Sequence, residues 1–216
     1  MEKIITLGKE KLERERFNIH DRIADITGYL FLNKPYGSLW GSTYTPENEY
    51  VSDWEMWCDG EDYAHYNKGV IYTLNSDARI YTIDSLHDFI ELLTRYPLPG
   101  PMVSLCGTKV YLDFSKIMKD YDVIHLTHKG NCETHLIWDR SEIDVDGEKF
   151  KISDLNSWDV ESWLILNFDS IDLDSVERYE KKPKEVVRTK EVVRTTVNDL
   201  IKLANESECR ITAKKP

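Results

Sequence analysis

The 216-residue chain predicts an α+β fold. Three observations carry that expectation. Short apolar or alternating runs rich in β-branched and aromatic residues recur between Pro, Gly and Asn turns, the pattern of strands. Helical stretches with apolar residues spaced for one face stand among them. After Glu180 the chain changes character, becoming basic and amphipathic. Hydrophobic residues make up 41% and aromatics 11%, enough for a packed core and more than a disordered chain carries.

The elements follow in order. Ile4-Ile5-Thr6-Leu7 reads as a strand closed by Gly8. Glu10 to Asp25 is charged with sparse apolar points and suits helix or loop. Tyr29 to Leu32 is a strand, and Asn33 to Gly37 a turn, because Pro removes a donor and Gly frees the backbone. Leu39 to Thr43 resumes extended structure. Asp53 to Cys58 forms a helical turn with Asp53 as N-cap and Trp54 and Trp57 on one side. Val70–Leu74 and Arg79–Ile83 are strands with Asn75-Ser76-Asp77 turning between them. Asp84 or Ser85 caps a helix through Tyr96, which Pro97, Pro99 and Pro101 end. Val110–Leu112 is extended, Phe114–Asp120 helical and Tyr121–Leu126 extended. Residues 128–157 read as polar loop with a hairpin at Asp146-Gly147. Val160 to Phe168 is apolar and extended. Two tandem copies of Lys-Glu-Val-Val-Arg-Thr begin at Lys184 and Lys190. Val186, Val193, Val197, Leu200, Ile201 and Ala204 then keep helical spacing to about residue 206. The domain organisation is therefore a body, residues 1–180, and a basic helical tail, residues 181–216.

Charge narrows the function classes. The net charge is −11, made of zero over residues 1–28, −16 over 29–180 and +5 over 181–216. An acidic body lacks the clustered Lys and Arg that a broad nucleic-acid footprint needs. No apolar run is long enough to span a membrane, and no secretory signal opens the chain. The cysteines, Cys58, Cys106, Cys132 and Cys209, are far apart, which fits reduced thiols in the cytoplasm better than a disulfide frame. No HExxH, GxSxG or P-loop is present.

Two constellations carry chemistry. In Trp158-Asp159-Val160-Glu161-Ser162-Trp163, period two puts Asp159, Glu161 and Trp163 on one face. Carboxylates at the head of a buried strand are costly unless paired or used. The competing reading starts the strand at Ser162 and leaves both carboxylates solvated. In Lys34-Pro35-Tyr36-Gly37-Ser38-Leu39-Trp40-Gly41-Ser42-Thr43, glycines beside an aromatic and hydroxyls admit a flat ligand close to the backbone. Tyr50, Trp54 and Trp57 follow, either as a stacking pocket or as core.

Together these segments resemble the ADP-ribosyltransferase superfamily, the NAD-consuming fold of diphtheria-type toxins and poly-ADP-ribose polymerases. Gly37-Ser38-Leu39-Trp40-Gly41-Ser42 is similar to the strand lining the family's nicotinamide pocket, with Tyr50 or Trp54 as the second ring. Glu161-Ser162-Trp163-Leu164-Ile165-Leu166, followed by Ile171, is similar to the strand opened by the catalytic glutamate, with Asp159 at the position that tunes acceptor choice. The resemblance spans residues 3–178. It implies two packed, mostly antiparallel sheets around an NAD cleft. It further implies transfer of ADP-ribose from NAD to a macromolecular acceptor, protein or nucleic acid, as a toxin or phage-host effector.

Under that resemblance Glu161 and Asp159 are the catalytic candidates. Lys34, Gly37, Leu39, Trp40, Ser42, Tyr50 and Trp54 are the NAD-binding ones. Residues 128–157 become the acceptor loop, and the mechanism needs no metal. Two departures stand out. Leu7 occupies the first-strand position where the family has His or Arg, leaving Lys34, Asn33 or His20 to replace it. Asp159 stands where Glu or Gln is usual.

A rival constellation, His125, His128, Cys132 and His135, has zinc-like spacing and would staple its loop. The alternative to an enzyme is a non-catalytic module that holds a partner through the Trp-rich groove and the tail helix. A lone amphipathic helix must bury its stripe, so residues 184–206 either pack on the domain's own surface or meet a neutralising protein or a second copy.

Overall fold

In the computed structural model the described residues are 2–19, 33–99, 109–135, 142–155 and 157–181. The expected strand Tyr29–Leu32, His20, Cys106, Cys209 and the expected helix over 184–206 lie outside them. In chain order the strands are β1 (Ile4–Leu7), β2 (Leu39–Thr43), β3 (Lys68–Leu74), β4 (Ile80–Ile83), β5 (Pro97–Pro99), β6 (Lys109–Leu112), β7 (Val123–Leu126), β8 (Glu142–Val145), β9 (Glu148–Ile152), β10 (Ser162–Ile165) and β11 (Ile171–Glu180). The helices are α1 (Asp53–Gly60), α2 (Leu86–Arg95), α3 (Phe114–Asp120) and α4 (His128–His135).

The fold is α+β with two mixed sheets. The larger has the order β11-β3-β1-β2-β10-β7-β4, and the smaller β5-β6-β9-β8. In the larger sheet every pairing is antiparallel except β4 with β7, and in the smaller only β6 with β9 is parallel. β10 sits inside the larger sheet and all four of its residues are buried. Leu164 joins the cluster of Phe89, Leu92, Leu112, Ile117, Ile124 and Phe150, which draws on both sheets and on α2 and α3. Trp163 and Ile165 join Ile4, Leu39, Tyr72 and Val123 on the opposite face. A strand with core on both sides reads as an unbroken apolar run, which is why Trp163–Ile165 stands out in the sequence.

Local chemistry explains most of the helices. Ser85 caps α2: its Oγ accepts from the Asp88 N–H, and the Asp88 carboxylate accepts from Ser85 Oγ and the Asp84 N–H. Phe89, Leu92 and Leu93 then face inward with no exposure. Asp122 ties three strand ends together. It accepts from the Arg79 N–H, Nε and Nη2 at the start of β4 and from Asn167 Nδ2 after β10. No helix among the described residues is long and apolar enough to cross a membrane.

Several expectations need correction. The cap of α1 is Ser52, not Asp53; its Oγ accepts from the Glu55 N–H at 3.2 Å. Within the stretch read as loop, residues 128–135 form α4. That helix buries only Gly130, Asn131 and Thr134, so it shows no apolar stripe. A Cβ at Gly130 would overlap the Ile83 carbonyl, so close backbone approach replaces side-chain packing there. The prolines after α2 also build the edge strand β5, where missing N–H groups cost least. β4 does not pair with β3 across the Asn75–Asp77 turn; it lies parallel to β7 at the far edge. The apolar strand β10 begins at Ser162 and ends at Ile165, and a separate ten-residue strand, β11, follows at the edge beside β3.

Candidate functional site

A cavity of about 300 Å³ opens where β1, β2, α1 and the segment before β10 meet. Its walls include Lys34, Leu39, Trp40, Ser42, Trp54 and Asp159, so the two segments singled out by sequence converge on one space. The volume stands at the low end for small-molecule sites.

The aromatic wall is locked from behind. Trp158 is 1% exposed, and its Nε1–H donates to the Asn33 carbonyl at 2.5 Å. Trp40 meets it edge-on, with centroids 4.7 Å apart at 82°. Asn131 of α4 donates to the Trp158 carbonyl at 2.5 Å. Lys34 Nζ lies 4.9 Å from the Trp40 ring centroid and donates to the Ser157 carbonyl at 3.0 Å. A cation over an indole face holds both in place and leaves a positive charge in the cavity.

Asn33, a possible substitute for the first-strand cation, is committed elsewhere. Its Nδ2 donates to Ser153 Oγ and the Asp154 carbonyl, and its Oδ1 accepts from the Leu112 N–H. Lys34 is in the cavity wall, and so is Lys9, which sequence reasoning passed over. Tyr66 lines it too, as do Trp158 and Ser162, which the sequence pattern marks only as neighbours of the two carboxylates. Trp158 precedes Asp159 directly and Ser162 follows it by three residues, so this short stretch carries the available signal.

Asp159 and Glu161 do not share a face. Both precede β10, where strand alternation does not apply. Asp159 lines the cavity, whereas Glu161 is not among its described walls. The Glu161 side chain is buried and clamped. Its Oε1 accepts from Thr43 Oγ1 at 2.9 Å and lies 2.9 Å from His125 Nε2; its Oε2 accepts from the Thr43 N–H at 3.0 Å. Trp163 Nε1–H donates to Thr43 Oγ1, which closes the network. The Glu161 backbone carbonyl accepts from Ser42 Oγ, so a cavity residue anchors the same turn. The solvated reading of Glu161 is therefore wrong: it is 7% exposed.

The other candidates fall outside the cavity walls. Gly37 has φ of +71° and abuts the Asn18 backbone, so the close approach it permits is to its own chain. The Tyr50 hydroxyl donates to Asp59 Oδ2 at 2.5 Å. The zinc-like set is not gathered. His125 faces Glu161, while His128 Nδ1 lies 3.5 Å from Asp53 and its Nε2 3.9 Å from Cys132 Sγ. Among the described residues no three His, Cys, Asp or Glu converge as metal ligands.

No protein-family model, curated protein or solved structure matches the chain.

Proposed function

We propose that the chain binds NAD as a substrate in this cavity and transfers its ADP-ribosyl group to a macromolecule. The observation that supports the reading is the convergence of Trp40, Trp54, Ser42, Lys34 and Asp159 on one space. The indoles suit the nicotinamide ring by stacking. Lys34 and Lys9 supply positive charge for the pyrophosphate. The chemistry breaks the bond between ribose C1′ and the nicotinamide nitrogen, and the bonding pair leaves with nicotinamide. The oxocarbenium-like carbon that develops is met by a carboxylate, as in glycoside cleavage. An acceptor nucleophile then bonds to C1′ and gives up its proton.

Asp159 is the carboxylate the cavity offers for that charge. Glu161 is a positioning residue: its clamp onto Thr43 and Ser42 fixes the turn that carries Asp159. This revises the role that the family resemblance implied for Glu161.

The test is nicotinamide release from NAD. Asp159→Asn should abolish release with an unchanged melting temperature. Glu161→Gln should lower both release and stability. Trp40→Ala should weaken NAD binding about fivefold or more, since a stacked ring is worth roughly 1 kcal/mol. Release by Asp159→Asn at the wild-type rate would remove the assignment. A wild-type chain that binds a protein partner but releases no nicotinamide would favour the non-catalytic module instead.

A further inference from the structure

Residues 35–67 contain seven carboxylates and eight aromatic rings, with neither lysine nor arginine. α1 lies within this stretch. It turns Glu55 and Cys58 inward, and its two rings, Trp54 and Trp57, are left in partial contact with solvent. Trp54 and Trp57 stack with centroids 4.9 Å apart at 13°. Tyr63 tilts onto Trp57 at 5.4 Å and meets Trp54 edge-on at 6.1 Å. Tyr63 is 63% exposed and Met56 48%.

Carboxylates surround these rings. Asp53 and Glu61 stand one helical turn before and after Trp57, within side-chain reach of it. Asp59, Glu61 and Asp62 gather at the C-terminal end of α1, where the helix macrodipole already concentrates negative charge. No basic residue occupies the last turn. His65 leans on the group, 3.8 Å from Asp59 and 3.4 Å from Asp62, and the Tyr50 hydroxyl donates to Asp59. A neighbouring hydroxyl registers the Asp59 carboxylate. The Tyr50 hydroxyl is pushed up to about 12, first by its hydrogen bond to Asp59.

Helix stability does not account for this arrangement, since acidic groups at that end oppose the dipole. A cation set against the rings relieves the repulsion and gains the ring quadrupoles. Guanidinium fits better than ammonium, because it is planar, stacks on indole and donates a fork of N–H groups to carboxylates. A phosphate backbone would meet only like charge.

We propose that the exposed face formed by Trp54, Trp57 and Tyr63, rimmed by Asp59, Glu61 and Asp62, is a docking site for an arginine-bearing segment of a partner protein. The site does not depend on what the cavity binds. Trp54 also lines the cavity, so a segment docked here passes beside it.

The test uses the full chain and a labelled peptide of alternating arginine and glycine. Matched peptides carry lysine or serine in place of arginine, and fluorescence anisotropy is read at low and physiological salt. The arginine peptide should bind most tightly, and salt should weaken it. Trp57→Ala should weaken binding about fivefold, the loss expected for one cation–π contact. Asp59→Asn combined with Asp62→Asn should weaken binding by a similar factor and flatten the salt dependence. The proposal is overturned by equal binding of arginine and lysine peptides, by preferential binding of a single-stranded oligonucleotide, or by wild-type affinity in the aspartate pair variant. Should Trp57→Ala fail to fold, the aspartate variant decides alone, because those carboxylates are at the surface.

Discussion

His125 lies flat against Trp163, with ring centroids 3.7 Å apart and planes within 11°. The two are direct cross-strand partners in the antiparallel pairing of β7 with β10. Such pairs are where a sheet gains side-chain energy. Here the stack also aims an imidazole nitrogen at the buried Glu161 carboxylate. Trp163 steadies the same carboxylate a second way, through Thr43 Oγ1.

Glu161 and His125 are therefore coupled in stability. Glu161→Gln keeps the shape but leaves one acceptor oxygen for the donors that two carboxylate oxygens serve, the Thr43 N–H on one side and Thr43 Oγ1 and His125 on the other, at a cost of about 1–3 kcal/mol. His125→Ala removes the stack and leaves the carboxylate short of a partner, for a similar loss. Urea unfolding of both single variants and the double variant should give a coupling energy above about 0.5 kcal/mol. Strict additivity would mean the two side chains act independently.

Asp122 sets part of the acid sensitivity. Its hydrogen bonds from the Arg79 guanidinium, foremost, and from Asn167 hold its carboxyl well below the usual carboxylate range. A carboxyl depressed in the folded state stabilises the protein above its unfolded value, about 3.9, and that stability is lost as pH falls below it toward the folded value. Unfolding free energy measured from pH 6 downward should fall less steeply in Asp122→Asn. That variant should be less stable than wild type near neutrality. Parallel pH profiles would show that the Arg79 pair is not felt.

Two helical glycines should respond in opposite directions to alanine. At Gly130 the added Cβ meets the Ile83 carbonyl, so α4 must move off β4. A loss of several kcal/mol is expected for such overpacking against backbone. At Gly60 nothing lies within 4 Å of the added atom. Alanine there should be neutral or stabilising by up to about 1 kcal/mol. Thermal melts of the two variants decide it, and equal shifts would contradict the close packing of α4.

Lys181 closes the body. Its Nζ lies 2.6 Å from Glu55 Oε1, an atom buried inside α1, and its N–H donates to the Asn67 carbonyl. A chain ending at Glu180 leaves that carboxylate buried without its cation and should melt lower than one ending at Lys181. The expected difference is about 1–3 kcal/mol. Coincident melting curves would show that water serves Glu55 equally well.

Local pattern determined much of the secondary structure. β1, β2, β3, β4, α2, α3 and the Asp146-Gly147 hairpin were legible because each writes its own periodicity, cap or turn into consecutive residues. The sequence places the start of α1 one residue late, at Asp53, because an acid and a serine side by side both suit a cap and only the structure shows which oxygen meets the Glu55 N–H. α4 and β11 were not legible. α4 docks through Gly130, Asn131 and Thr134, which make no stripe, and β11 is an edge strand whose side chains mostly meet water. Strand order lay beyond the sequence as well, since nothing local to β4 names β7 as its partner. The same holds at the site. Consecutive residues could mark Asp159 and Glu161 as carboxylates that need a reason. Which of them meets the cavity was decided by Thr43 and His125, distant in sequence, whose donors draw Glu161 into the sheet. Only the tertiary structure brings those donors within hydrogen-bond distance.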